Sequence, residues 1–189
     1  YNLVARGRPS HAGVSPKSGR SAIREMARRV IEIDAMSDDD CTFSVGVMHG
    51  GQWVNCVSSL CTAEALSMAK TDDDLASGVA RMLNLSGVEN EVEFSVTCGV
   101  TRPVWPPDRP ETMALYEKAR LLADSLGVCL PHGSSGGGSD GNFTGALGIA
   151  TLCGLGLRGT GYHTLEEHIE IDSLIDRGRL MAGLLATLD

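Results

Sequence analysis

Three stretches of the chain hold residue types that do chemistry. Gly133-Ser134-Ser135-Gly136-Gly137 has the form G-x-S-x-G, in which a serine on a sharp strand-to-helix turn acts as nucleophile, here with His163 or His168 as its base. Its surroundings argue against a serine hydrolase, because small and polar residues run on to Asn142 and no helix can begin directly behind Ser135. A flexible Gly/Ser loop is the plainer reading. His163 and His168 bracket two glutamates but stand five residues apart, whereas two histidines sharing one metal from a helix stand four apart. Five residues turn a helix by roughly 500°, leaving the rings roughly 140° apart. One of them could serve as a single ligand in a loop, completed by residues remote in sequence; a hydrogen-bonded surface histidine is the alternative. The third stretch, Arg6 to Gly13, puts His11 in a turn-rich loop, the kind of segment where binding residues concentrate. Asn55, in a stretch read as strand, runs against strand propensity and points to a polar contact. Arg102 precedes Pro103 and has the planar fork that grips a carboxylate bidentately, a solvated arginine being the alternative.

These residues need elements to hold them. Alternation around Leu3 and Ala5 predicts a strand over residues 1–7, followed by the turn-rich Gly7 to Gly19. Ile23, Met26, Ala27, Val30, Ile31 and Ala35 recur at spacings of three and four, predicting a helix over Ser21 to Met36 that packs this face and solvates Arg24, Glu25, Arg28 and Glu32. Cys41 to Met48 alternates as a second strand, His49-Gly50-Gly51 turns, and Trp53 to Met68 returns as a third. A helix opens at Asp72 with Leu75, Val79, Met82 and Leu83 on one face, and a strand follows from Glu91 to Val100. The order β-α-β-β-α-β is that of a ferredoxin-like α+β domain, with one sheet face or edge free to form a dimer. Prolines 103, 106, 107 and 110 mark a boundary, giving a first domain over 1–107 and a second over 108–189. The second is expected to hold a helix from Glu111 to Leu126, the Gly-rich loop 133–141, a short helix near Asn142, a buried strand over Ile149 to Cys153 and a last helix from Asp172 to Leu188. With one clear strand, it reads as the end of an α/β domain.

The 189 residues are 42% hydrophobic, 21% charged and only 4% aromatic, a globular composition. A net charge of -8 repels phosphate backbones, so nucleic acid is not an expected partner. No apolar run reaches the roughly 20 residues of a membrane span. Six cysteines without a C-x-x-C pair read as reduced and mostly buried, and the chain as cytoplasmic. Tyr1 opens the chain in mid-strand, as though an upstream portion were missing.

Taken together, Gly7-Arg8-Pro9-Ser10-His11-Ala12-Gly13, Asn55, Arg102-Pro103, Ser135 to Phe143 and Gly161-Tyr162-His163-Thr164 resemble the glutamate carboxypeptidase, acetylornithine deacetylase and succinyl-diaminopimelate desuccinylase family of dizinc metallopeptidases and amidohydrolases. The resemblance covers nearly the whole chain. It implies a ferredoxin-like lid, which also forms a homodimer, followed by the C-terminal portion of an α/β zinc-hydrolase domain. By the same resemblance, His163 matches a zinc ligand, and His11 a lid histidine that stabilises the oxyanion in the partner's site. Asn55 and Arg102 match substrate-holding residues, and Gly137 and Gly138 a loop whose bare backbone approaches the substrate. The implied reaction is zinc-dependent hydrolysis of an amide beside a carboxylate-bearing residue, in a small peptide or an N-acyl amino acid.

The departures matter too. The family's other ligands for its two zinc ions, an early His and Asp and then a Glu pair, lie upstream of the lid, and no H-x-D segment precedes Gly7. One histidine is short of the three protein ligands of a catalytic zinc, so the chain is expected to be an inactive fragment as it stands. Glu64-Ala65-Leu66 also replaces the acidic-apolar-arginine pattern usual after the second lid strand. The alternative readings are a noncatalytic dimerisation module and, further off, a serine esterase using Ser135.

Overall fold

The computed structural model describes residues 1–187, and the chain divides into two compact units between Val104 and Trp105. In the first unit, β1 (Asn2–Arg6) leads to the two-residue strand β2 (Ser10–His11), then to a single 3-10 turn at Pro16–Ser18 and helix α1 (Ala22–Asp34). Strands β3 (Cys41–Gly50), β4 (Cys56–Val57) and β5 (Leu60–Ala69) follow, then α2 (Asp72–Leu83), β6 (Gly87–Glu89) and β7 (Val92–Thr97). Five of these strands make one antiparallel sheet in the order β3-β5-β1-β7-β6. Strand β1 lies at its centre, hydrogen-bonded to β5 on one side and β7 on the other.

Alternation decides which face is covered. Leu3, Ala5, Phe43, Cys61, Ala63, Val92, Phe94 and Val96 point one way and are buried beneath α1 and α2 with Met26, Ile33 and Met82. The opposite face carries Asn2, Arg6, Thr42, Glu64 and Glu93, and stays exposed. Both helices start at a side-chain cap: Ser21 accepts from the Arg24 N–H, and Thr71 from the Asp74 N–H.

Helix α1 faces the sheet differently from its apolar spacing. Ala22, Glu25, Met26, Arg29 and Ile33 are buried, while Ile23, Ala27 and Ile31 are exposed. The cause is an ion pair turned inward. Glu25 accepts from Arg28 at 2.8 Å and from Arg29 at 2.9 Å. Arg29 also reaches Glu32 and stacks 5.0 Å over the buried Phe94 ring. Two long side chains so engaged are covered at no unpaired-charge cost, and the Ile23-Ala27-Ile31 stripe rotates outward.

Two strand expectations also change. Residues 53–68 do not run as one strand, because Cys56 and Val57 leave the main sheet to pair with Ser10 and His11, and β5 begins only at Leu60. Of the cysteines, Cys41 and Cys61 are buried, whereas Cys98, Cys129 and Cys153 are exposed; all six are free thiols.

The second unit contains α3 (Pro110–Ser125), the short α4 (Gly141–Ala146), the two-residue strands β8 (Gly159–Thr160) and β9 (His168–Ile169), and α5 (Ser173–Thr187). Helices α3 and α5 pack on each other around Ala119, Ala123, Leu180 and Leu184, with Val128 and Leu130 closing the cluster. The expected buried strand at 149–153 does not form. Those residues are irregular, and Ile149 is 54% exposed, because no strand among the described residues pairs with them and a lone strand leaves its backbone groups unsatisfied.

The Glu25 cluster makes folding pH-dependent. Burial pushes the Glu25 carboxyl up, but the hydrogen bonds from Arg28 and Arg29 outweigh it and leave it below its ordinary 4.5. A depressed carboxyl contributes stability above its unfolded pKa that is lost as pH falls through the folded one. In urea unfolding at pH 7, Glu25→Gln should lose about 1.5–3 kcal/mol, the range for a hydrogen bond to a charged group. That deficit should shrink steadily below about pH 4.5, and a pH-independent deficit would contradict the assignment.

Candidate functional site

The loop between β1 and α1 is built to hold one histidine. It leaves β1 at Gly7, whose N–H donates to the Ser59 carbonyl at 2.8 Å. A Cβ on Gly7 would lie 2.0 Å from the Arg20 carbonyl oxygen, so only glycine lets the two ends of the loop meet here. Arg8 and Arg20 then exchange backbone hydrogen bonds of 3.0 and 2.9 Å. Gly19 fits against Ser10 Oγ and Val57, either of which would be within 3 Å of an added Cβ.

Within that closed loop, β2 pairs antiparallel with β4, setting Ser10 opposite Val57 and His11 opposite Cys56. The Ala12 N–H extends the ribbon by donating to the Asn55 carbonyl at 2.8 Å. The structure thus brings His11 and Asn55 together, although Asn55 sits in the turn before β4 and not in a strand as expected. Both residues are exposed.

The imidazole of His11 is oriented by backbone alone. Its Nδ1 accepts from the Gly13 N–H and the Val14 N–H, each at 3.1 Å. A nitrogen that accepts two hydrogen bonds carries no proton, so in neutral His11 the proton is on Nε2, which is left as an outward donor. Such a donor suits an oxygen that gains negative charge. A groove of about 910 Å³, lined in part by Lys17, Arg20, Arg24, Cys56, Val57 and Glu91, flanks this ribbon.

Arg102 is exposed in the irregular segment that follows β7, in the same unit. Gly137, Gly138 and His163 belong to the second unit. The loop carrying Gly137 and Gly138 is exposed and irregular, and Ser135 Oγ folds back to accept from the Gly137 N–H at 3.2 Å. No helix starts behind Ser135, so the nucleophile elbow of a serine hydrolase is not built. A Cβ on Gly137 would meet only Ser135 Oγ, at an ordinary 3.5 Å, so nothing in this chain's packing demands glycine there.

His163 occupies the turn between β8 and β9 with a left-handed backbone, φ 64°. His168, in β9, is held separately, with Nδ1 2.7 Å from the Glu166 carbonyl and Nε2 3.4 Å from Thr160 Oγ1. Among the described residues no group of three His, Cys, Asp or Glu side chains is placed to hold a metal ion. The described residues therefore do not by themselves make a zinc site. Sequence reasoning found His11 and Asn55 singly; it did not find the Nδ1 acceptor geometry, whose only trace is the glycine two residues after His11.

Comparison with known proteins finds likenesses to peptidases and amidases. Residues 1–91 match the family model of the peptidase dimerisation domain (M20_dimer). An uncharacterized protein of Bacillus subtilis (strain 168), YqjE, is 26% identical over 188 residues, 95% of this chain and 48% of that protein. The crystal structure of aminopeptidase PepT from Bacillus cereus superposes with a TM-score of 0.67 at 26% identity, covering 97% of this chain and 49% of that one. An amidase of the hydantoinase/carbamoylase family from Burkholderia vietnamiensis shares the fold, at a TM-score of 0.66 and 17% identity, over 97% of this chain and 46% of its own. The chain spans about half the length of these relatives.

The metal geometry is open to direct measurement. Titration calorimetry of the chain with zinc should show only weak binding, because one imidazole supplies one bond where a protein zinc site uses three or four. The residual heat should fall in His163→Ala. Tight one-to-one binding would reveal ligands that this arrangement does not bring together.

Proposed function

We propose that the chain, whose residues 1–91 match the peptidase dimerisation domain (M20_dimer), is the lid and C-terminal catalytic portion of a zinc-dependent amide hydrolase. Its substrate is a small peptide or an N-acyl amino acid cleaved beside a carboxylate-bearing residue. The observation that carries the reading is His11, whose Nδ1 is held by two backbone N–H groups so that the Nε2 proton faces outward, next to Asn55. A neutral imidazole so locked donates to a carbonyl oxygen as it becomes an oxyanion, and removing one such donor typically costs about 10²–10³-fold in kcat.

The remaining roles follow from the same reading. Asn55 and Arg102 hold the substrate, Arg102 gripping its carboxylate. Gly137 and Gly138 give a bare backbone edge for the substrate to approach, a role supported by the absence of any internal packing that calls for glycine at 137. His163 contributes one zinc ligand in the complete enzyme. The four main strands, two helices on one sheet face and the order β3-β5-β1-β7 support a ferredoxin-like lid. The chain alone has no turnover, because its described residues offer no complete metal site.

Association uses the β3 edge. Of the two edges of the main sheet, β6 is three residues long and its Glu89 is engaged by Arg28, whereas β3 runs ten residues with an open side. Ile23 of α1 packs by Gly50 at the end of β3, so the exposed Ile23-Ala27-Ile31 stripe continues that edge into an apolar surface. A homodimer through this surface is the reading we adopt over a purely noncatalytic module.

Light scattering after size exclusion should give a dimer for the chain, and Ile31→Asp should shift it to monomer; a wild-type monomer at tens of micromolar would contradict the interface. In the complete enzyme, His11→Ala should lower kcat by about 10²–10³-fold with zinc content unchanged, while His163→Ala should lower zinc content as well. Mixing these two variants should restore part of the activity if His11 serves the partner's site. No recovery after verified subunit exchange would place His11 in its own subunit's chemistry.

A further inference from the structure

The ends of the His11 loop converge on a single carboxylate. Glu91 lies in the two-residue turn between β6 and β7, and both turn residues are left-handed, Asn90 at φ 50° and Glu91 at φ 59°. Asparagine tolerates this conformation; glutamate is a poor choice for it, since its Cβ crowds the backbone and glycine would relieve the strain. What the glutamate offers in exchange is its side chain. One carboxylate oxygen pairs with Arg20 Nη2, and the other lies 3.7 Å from Arg8 Nη1.

Both arginines turn their remaining donors onto the loop itself. Arg8 Nε donates to the Ser18 carbonyl at 2.7 Å, and Arg20 Nη1 donates to the carbonyls of Lys17 and Gly19 at 3.0 and 2.8 Å. Arg8 and Arg20 are also the residues whose backbones close the loop. The carboxylate therefore ties the loop's stem, through two guanidinium groups, to the β6-β7 turn of the sheet. His11 hangs from that stem on a two-residue ribbon with few bonds of its own.

We propose that Glu91 is a positioning residue for His11: it clamps the loop at Arg8 and Arg20 so that the Gly13 and Val14 N–H groups stay on Nδ1 and Nε2 keeps the proton. This rests on reading His11 as the donor. The clamp differs from a hairpin stabiliser, because a hairpin gains from glycine at 91 and the clamp does not.

The test needs no substrate. In the full chain, amide hydrogen exchange at Ala12, Gly13 and Val14 and the 15N resonances of the His11 ring are read by NMR for wild type, Glu91→Gln and Glu91→Gly. The clamp predicts that both variants speed exchange at the three amides by about 3–10-fold, the scale of two partly exposed ion pairs. It also predicts that His11 Nδ1 moves from its acceptor position toward the average of the two tautomers. Core amides of Leu3 and Phe94 should keep their protection, which establishes that the variants are folded. Arg20→Gln should reproduce the effect, and adding it to Glu91→Gln should add little. Loop exchange and ring shifts unchanged in Glu91→Gly, or fully additive effects of the two substitutions, would overturn the clamp. Failure of His11→Ala to lower turnover would overturn the donor reading while leaving these measurements as they stand.

Discussion

The first unit depends on a five-residue strand being bonded along both edges. Strand β1 has no exposed edge, and its Leu3 and Ala5 are fully buried, so it fixes the register of β5 and β7 at once. Everything that β1 leads into inherits that placement. Gly7 follows it directly, and the hydrogen bond from Gly7 to Ser59 and from Ala22 to Ser58 tie the beginning of the loop and the beginning of α1 to neighbouring residues just ahead of β5. The loop that carries His11 is thus closed by the sheet at both ends, and its conformation follows from the packing of the core.

Much of this was legible in the sequence, and the misreadings have physical causes. Alternation and capping residues located β1, α1, β3, α2 and β7 to within a few residues, because a half-buried sheet and a capped amphipathic helix leave period and end signals. The inner face of α1 departs from its apolar spacing, since spacing cannot anticipate that Glu25 and Arg29 are covered as a pair against Phe94 while Ile23 and Ile31 face out. The strand expected from Trp53 onward is shorter in the structure, since Cys56 and Val57 take a different partner and propensity carries no information on partners. Residues 149–153 have the composition of a buried strand; without a described neighbour to accept their hydrogen bonds they are irregular.

The two units consequently differ in how they are held. Among the described residues, the first has a continuous core of fourteen buried residues with a five-stranded sheet, the second six around two helices. Leu147, Ile171, Ile175 and Leu185 of the second unit are more than 60% exposed, an amount of open apolar surface that ordinarily marks a contact region. Local opening is expected to be easier there, since few buried contacts oppose it.

The contrast between the two histidines has a chemical consequence. His163 takes its geometry from a turn with a left-handed backbone, in which its N–H donates to Glu167 at 3.4 Å. His11 is held the other way round, from behind, by two N–H groups that can only meet an unprotonated nitrogen. Both bonds need the Nδ1 lone pair, so in the neutral ring the proton is on the outward nitrogen. A ligand histidine has to offer a lone pair, and an oxyanion donor has to offer a proton. In the neutral ring the backbone around His11 leaves the donor on the outward nitrogen, using only residues of the first unit, within the 91 residues that match a dimerisation domain.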